Sequence, residues 1–198
     1  MDQPEASNGQ RTPLIRDAAT LRRVATPDRI RIYEFLVRTG SSRVSAIAGA
    51  LGLAVGSVSH HLRVMYQDGF VVRADELAPD RRSRFWRAVP GGIRWESPSD
   101  PGELQYLSAV DEAQTVIQSR RDDAVRAWRQ SLASWPSAWR EAAMDTDSVL
   151  KLTPDQAENF RDEILEVIAR WRQCTPASGI ARDVFVSFMS IPMGQPRA

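Results

Sequence analysis

Three residues, Gly52-Leu53-Ala54, constrain this chain most, because an amphipathic helical pattern runs up to them on each side. Before them, residues 44–51 put Ile47, Ala48 and Leu51 on one side; after them, residues 55–68 carry Val58, Leu62 and Met65 as an inward stripe. Spacings of three and four residues place such side chains on one helical face. Gly52 and Gly69 each follow a periodic run, where a glycine can take the left-handed backbone that turns a chain out of a helix. So short a connection gives the two helices no independent course, and they must cross on a common core.

The flanking residues extend the pattern. Thr26-Pro27-Asp28 sets an N-cap, a first-turn proline and a first-turn acid in order. The helix it opens carries Ile30, Tyr33, Leu36 and Val37 and stops at Gly40. A short amphipathic helix is expected over residues 14–24, and the polar residues 1–12 read as a disordered arm. Downstream, residues 70–72 and 85–89 read as two strands joined by a long polar tip that contains Pro79. Helix, short turn, helix and hairpin is the order of a winged helix-turn-helix, which assigns residues 13–92 to a DNA-binding domain.

The remainder reads differently. Pro90-Gly91-Gly92 and the Ser/Pro-rich stretch before Gly102 bracket a linker over residues 93–102. A helix then runs from Glu103 to about Trp135, with Leu104, Leu107, Val110, Ile117, Ala124 and Trp128 on its stripe, and Pro136 ends or kinks it. A helix of about 45 Å outreaches any small domain of its own, so a partner subunit is the economical cover. Residues 148–152 are a strand candidate, and Thr153-Pro154-Asp155-Gln156 is a capping box opening a helix to about Gln173. Residues 184–189 read as a strand covered on both faces. The expected fold is mainly α (α+β): a winged helix-turn-helix, a long dimerisation helix and a small β-α-β unit, with residues 103–198 as the dimerisation and candidate effector domain.

Net charge conceals an asymmetry. Residues 1–92 hold 14 Lys+Arg against 9 Asp+Glu, whereas residues 93–198 hold 12 against 16, for a whole-chain value of +1. A basic half joined to an acidic half suits a nucleic-acid-binding module beside something else. The single cysteine excludes a disulfide framework within the chain and any Cys-only zinc site built by one subunit. No apolar run approaches the ~20 residues of a membrane span, and no secretion signal opens the chain. The expectation is a soluble cytoplasmic protein with no membrane partner. No Gly-rich phosphate loop, nucleophile elbow or credible ligand set is present, so neither an enzyme nor a cofactor is expected.

Residues 21–89 resemble the ArsR family of bacterial winged-helix repressors. The resemblance rests on Leu21 to Ile32 (LRRVATPDRIRI), on Ile47 to Leu53 (IAGALGL), and on Ser57 to Val72 (SVSHHLRVMYQDGFVV), which follows the family's recognition helix and first wing strand. Metal-sensing members carry cysteines where this chain has Arg43 and Ser45, or His and acidic ligands on the long helix, where residues 101–135 contain no histidine. No metal is therefore expected. Ala54 stands where the family often has a capping Ser, so the recognition helix would either start later or lean on DNA phosphate to satisfy its free amides.

The resemblance and the helical phase together nominate a DNA-binding set: Gly56, Ser57, Ser59, His60 and Arg63 on the recognition helix, and Arg81, Arg82 and Arg84 at the wing. His61, three residues after Val58, reads instead as a packed, hydrogen-bonded core histidine, and Trp86 and Trp95 as packing residues. Cys174 reads as an inert thiol. Trp128, Trp135, Trp139 and Trp171 with Phe160, Phe185, Phe188 and Met189 are core residues by spacing, or the lining of an apolar effector pocket. The expected function is a homodimeric transcriptional regulator, a repressor on an inverted-repeat operator of double-stranded DNA, relieved by a small-molecule effector. The alternative is a winged-helix protein-interaction module without DNA binding.

Overall fold

The structure, a computed structural model, describes residues 12–74, 84–96, 103–174 and 181–194. It divides into two compact units, Met1–Asp123 and Ala124–Ala198.

In the first unit, β1 (Leu14–Ile15) leads into α1 (Ala18–Val24), then α2 (Pro27–Thr39), β2 (Ser41–Arg43), α3 (Val44–Leu51) and α4 (Val55–Gln67). After these come β3 (Val71–Arg73), β4 (Phe85–Ala88), β5 (Arg94–Trp95) and the start of α5 (Leu104–Ser131). The helices end where the glycines stand: Gly40 at φ 80°, Gly52 at φ 67° and Gly69 at φ 76°. Leu21, Ile32, Leu36, Ile47, Val58, Leu62, Met65 and Phe70 are fully buried and belong to one core cluster. Ridges from α2, α3 and α4 thus close on a single apolar centre, which fixes the orientation of α4.

Several expectations change. The helix expected over residues 14–24 begins only at Ala18, because Asp17 caps it by accepting from the Thr20 amide at 2.8 Å. Leu14 and Ile15 instead pair in parallel with Arg94 and Trp95, so part of the expected linker is a strand. Thr12, placed in a disordered arm by composition, is buried: its hydroxyl donates to Gly92 O at 2.7 Å and its amide to Pro90 O at 2.8 Å. Residues 1–11 lie outside the described residues. Thr26 holds the N-cap position of α2, yet its hydroxyl makes no cap bond. Val37 faces solvent, while Ile32 and Phe35 take core positions, because α2 is packed on two sides. β2 was not foreseen; it joins the hairpin to give the order β2-β4-β3, antiparallel throughout.

On α5 the buried side is Tyr106, Ala109, Val110 and Ala113, and Leu104 and Leu107 are exposed, so the covered stripe is rotated from the expected one. The small residues let the helix approach the core closely. Tyr106 is anchored by its hydroxyl, which lies within hydrogen-bond distance of Ile15 O (3.0 Å) and Glu96 O (2.9 Å). Arg22 forks onto Glu112 at 3.0 Å, and Arg120 meets Glu34 at 2.9 Å.

The second unit holds the end of α5, a 3₁₀ turn over Leu132–Ser134, α6 (Ser137–Ala142) and α7 (Pro154–Arg172). The long helix stops at Ser131, short of Pro136. The capping box forms as expected: Thr153 N donates to Gln156 Oε1 at 2.9 Å and Gln156 N to Thr153 Oγ1 at 3.3 Å. The expected β-α-β arrangement does not form within the chain. Residues 148–152 and 184–189 belong to no strand and are exposed, since among the described residues no edge is aligned to accept their ladder bonds.

Candidate nucleic-acid interface

The phase of α4 decides what it can present. Val58, Leu62 and Met65 occupy its buried stripe. Opposite them Gly56, His60, Arg63 and Gln67 follow one another at four, three and four residues, and all four are exposed. Ser59, half-buried, and Tyr66, exposed, border this face. Gly56 leaves the first turn bare, since a Cβ added there would meet nothing within 4 Å. Gln67 was missed by the sequence reading; its place four residues after Arg63 was the available signal.

Ser57 lies elsewhere. It sits on the flank toward α2, where its Oγ is 3.2 Å from His61 Nε2, and His61 Nε2 is 3.7 Å from Asp28 Oδ2. Ser57 stands off the buried stripe, but its hydroxyl is turned toward His61 and away from the open face. His61 is largely buried, in keeping with a packed histidine. Burial, and then the Arg29 guanidinium, hold its pKa below the ordinary value, against the opposing pull of Asp28. Arg63 carries a guanidinium on the open face.

Neither N-terminus of the two helices carries a side-chain cap: Arg43 precedes α3 and Ala54 precedes α4 without a cap bond. Free first-turn amides and the positive end of the helix dipole favour an anion at such positions.

The wing base is stiff. Trp86 is buried, with the Arg73 guanidinium 4.2 Å above its ring and Tyr66 edge-on at 5.8 Å. Arg43 covers the Phe85 ring at 5.3 Å. Trp86 is therefore a packing residue, as its position in the strand implied. Arg84, exposed, is the first described residue on the returning side of the tip. Arg81 and Arg82 lie outside the described residues.

Residues 26–72, from the cap of α2 to the first wing strand, match the model of the family described as bacterial regulatory protein, arsR family. The helix-turn-helix is similar to that of the arsR family over these residues. This arsR-type segment is the DNA-binding part of a transcriptional regulator, and it contains the whole open face of α4. Comparison with curated proteins returned no match. Among solved structures, the X-ray crystal structure of YusO protein from Bacillus subtilis is similar over 64% of this chain and 81% of that one, at 16% identity and a TM-score of 0.34, too low to inform the fold.

Outside the arsR-type segment, Trp128, Trp135 and Trp139 touch in sequence, with ring centroids 5.8 and 6.3 Å apart, and Phe160 meets Phe188 at 5.8 Å. Trp171 stands apart, well exposed. The ring contacts thus include a tryptophan triplet and a phenylalanine pair. Cys174 is exposed, its thiol 3.5 Å from Arg170 O. Among the described residues no group of three His, Cys, Asp or Glu side chains is placed to hold a metal ion, and no single helix is long and apolar enough to cross a membrane.

Proposed function

We propose that the chain is a homodimeric transcriptional repressor acting on an inverted-repeat operator. In this reading Gly56, Ser59, His60, Arg63 and Gln67 enter the major groove. Ser57 contributes its backbone amide at the helix start, and Arg81, Arg82 and Arg84 contact phosphate or the adjacent minor groove. The observation that carries the reading is the open α4 face lying wholly inside the arsR-type segment. Gly56 supports it, because a bare first turn lets the duplex backbone approach the uncapped amides.

Support for the dimer comes from α5. It has 28 residues, about 42 Å at 1.5 Å per residue, and exposes Leu104 and Leu107 beside the Tyr106, Ala109, Val110 and Ala113 side that packs on the core. A two-fold axis along such helices would space the two α4 helices about one turn of DNA, ~34–36 Å, or a multiple of it. An effector would act by favouring one arrangement of the two reading heads. The Trp128-Trp135-Trp139 triplet suits an apolar or aromatic one.

Selection of bound fragments from genomic DNA tests the reading, with a palindromic consensus as the expected result. Arg63→Ala should weaken the selected site about 10- to 100-fold in a mobility-shift titration. Changing Arg81, Arg82 and Arg84 together to Ala should lower the slope of log K against log salt by roughly one per lost phosphate contact. An unaltered slope would remove the wing arginines from the interface. Absence of salt-sensitive binding to any duplex would favour the interaction-module reading, which the acidic second half supports.

A further inference from the structure

Arg73 is the last residue of β3, and its place in the ladder fixes which way its side chain points. It pairs with Trp86 of β4, as Val71 pairs with Ala88. Residues opposite each other and two apart share one face of a sheet, so these four lie together. Val71, Trp86 and Ala88 are buried, which identifies this face as the one turned to the helices. The Arg73 guanidinium lies 4.2 Å from the Trp86 ring centre. Tyr66, in the last turn of α4 and 40% exposed, meets the same ring edge-on at 5.8 Å. Trp86 thus bridges α4 and the hairpin, and Tyr66 and Arg73 stand on the two sides of that junction. Arg63, the cation of the open α4 face, is one helical turn before Tyr66.

The fold does not account for the charge on Arg73. Among the described residues no carboxylate pairs with it, and its Nη1 is buried without a hydrogen-bond partner. The side chain as a whole is only partly buried. Stacking on an aromatic face holds a guanidinium in place and leaves its remaining in-plane N–H groups for an anion. The grooves of the duplex say which anion comes there. With α4 in a major groove and the wing arginines at the adjacent minor groove, one phosphate backbone separates the two. That backbone has to pass over the junction of α4 and the hairpin.

We propose that Arg73 is a phosphate-binding residue, held by Trp86 and flanked by the Tyr66 hydroxyl, that grips the backbone between the two grooves. The proposal rests on the DNA-binding reading above and adds to it a contact outside the α4 face and the wing tip. Trp86 is then a positioning residue, since it fixes the cation and joins it to the recognition helix.

The test uses the full chain and the duplex recovered by genomic selection. Arg73→Gln should lower the slope of log K against log salt by about 0.9 per phosphate released, a weakening of roughly tenfold per contact at about 0.1 M salt. Arg73→Lys, which keeps the charge, should retain the slope. Tyr66→Phe should weaken binding and leave the slope unchanged, because a hydroxyl displaces no counterion. A second measurement needs no variant to fold: neutral methylphosphonates placed one at a time along the duplex should weaken the wild-type protein most between the half-site and its flanking minor groove. Arg73→Gln should be insensitive to the same replacement, which ties the residue to that phosphate. An Arg73→Gln slope equal to the wild-type one, with or without a lowered Tm, makes Arg73 a cover for Trp86 and overturns the clamp while the regulator stands. So does a methylphosphonate scan that is flat at the groove boundary. Wild-type protein with no salt-sensitive affinity for any duplex overturns both.

Discussion

The two units of this chain have similar apolar patterns and opposite outcomes. In Met1–Asp123 the stripes of α2, α3 and α4 converge, and Leu21, Ile32, Ile47, Val58 and Leu62 reach zero exposure. In Ala124–Ala198 a stripe as regular, on α7, stays half-covered, and its last member, Trp171, is 68% exposed. What differs is the return path. Connections of two to four residues fold the first unit's helices back on one another, whereas α7 is separated from α6 by residues 143–153, which hold neither helix nor strand. Amphipathicity states that a face requires cover; only connection length and turn chemistry say whether the chain supplies it.

Substitutions can sharpen or break this contrast. The largest expected effect is Leu62→Ala, which should cost about 2–5 kcal/mol of unfolding free energy in a denaturant titration, by lost transfer and a residual cavity. Leu165→Ala, on the exposed α7 surface, should change the monomer by no more than about 0.5 kcal/mol, and a much larger loss at monomeric concentration would erase the contrast. Smaller is Gly49→Ala: the position is exposed within α3 and its added Cβ meets nothing within 4 Å, so a gain of about 0.5–1 kcal/mol is expected.

Smallest is the effect of pH through His61. Its pKa is lowered in the folded chain, so the unfolded chain takes up a proton near pH 6.5 that the folded chain takes up only at lower pH. Stability should therefore fall as pH drops below about 6.5, down to the folded pKa. His61→Gln should flatten that part of a stability–pH profile, and an unchanged slope would show that His61 is not its source.

The comparison also explains what could be read from residues alone. Gly52, Gly69 and the Val58/Leu62/Met65 stripe are local signals, and the structure places them as the periodicity implied. The same periodicity predicts that Gly56, His60 and Arg63 share a face, because phase is a local property. The partners of the Ser57 hydroxyl were not legible, because its bond to His61 and the nearness of Asp28 depend on how α2 packs beside α4. β2 and the β1–β5 pair were missed for a related reason: Ser41-Ser42-Arg43 carries no strand pattern, and its ladder exists because β4 offers an edge. The strands expected at residues 148–152 and 184–189 failed in the opposite sense, with the pattern present and the edge missing.

The pairing of Leu14 with Arg94 and of Ile15 with Trp95 has a mechanical consequence. It brings together the entry and exit of the reading head, and the hydroxyl of Tyr106 fastens both to the first turn of α5. A pull on the chain ahead of Thr12 would thus be felt at the root of the wing and at the base of the long helix. Whatever is attached at that end, a tag or a natural extension, has leverage over the wing.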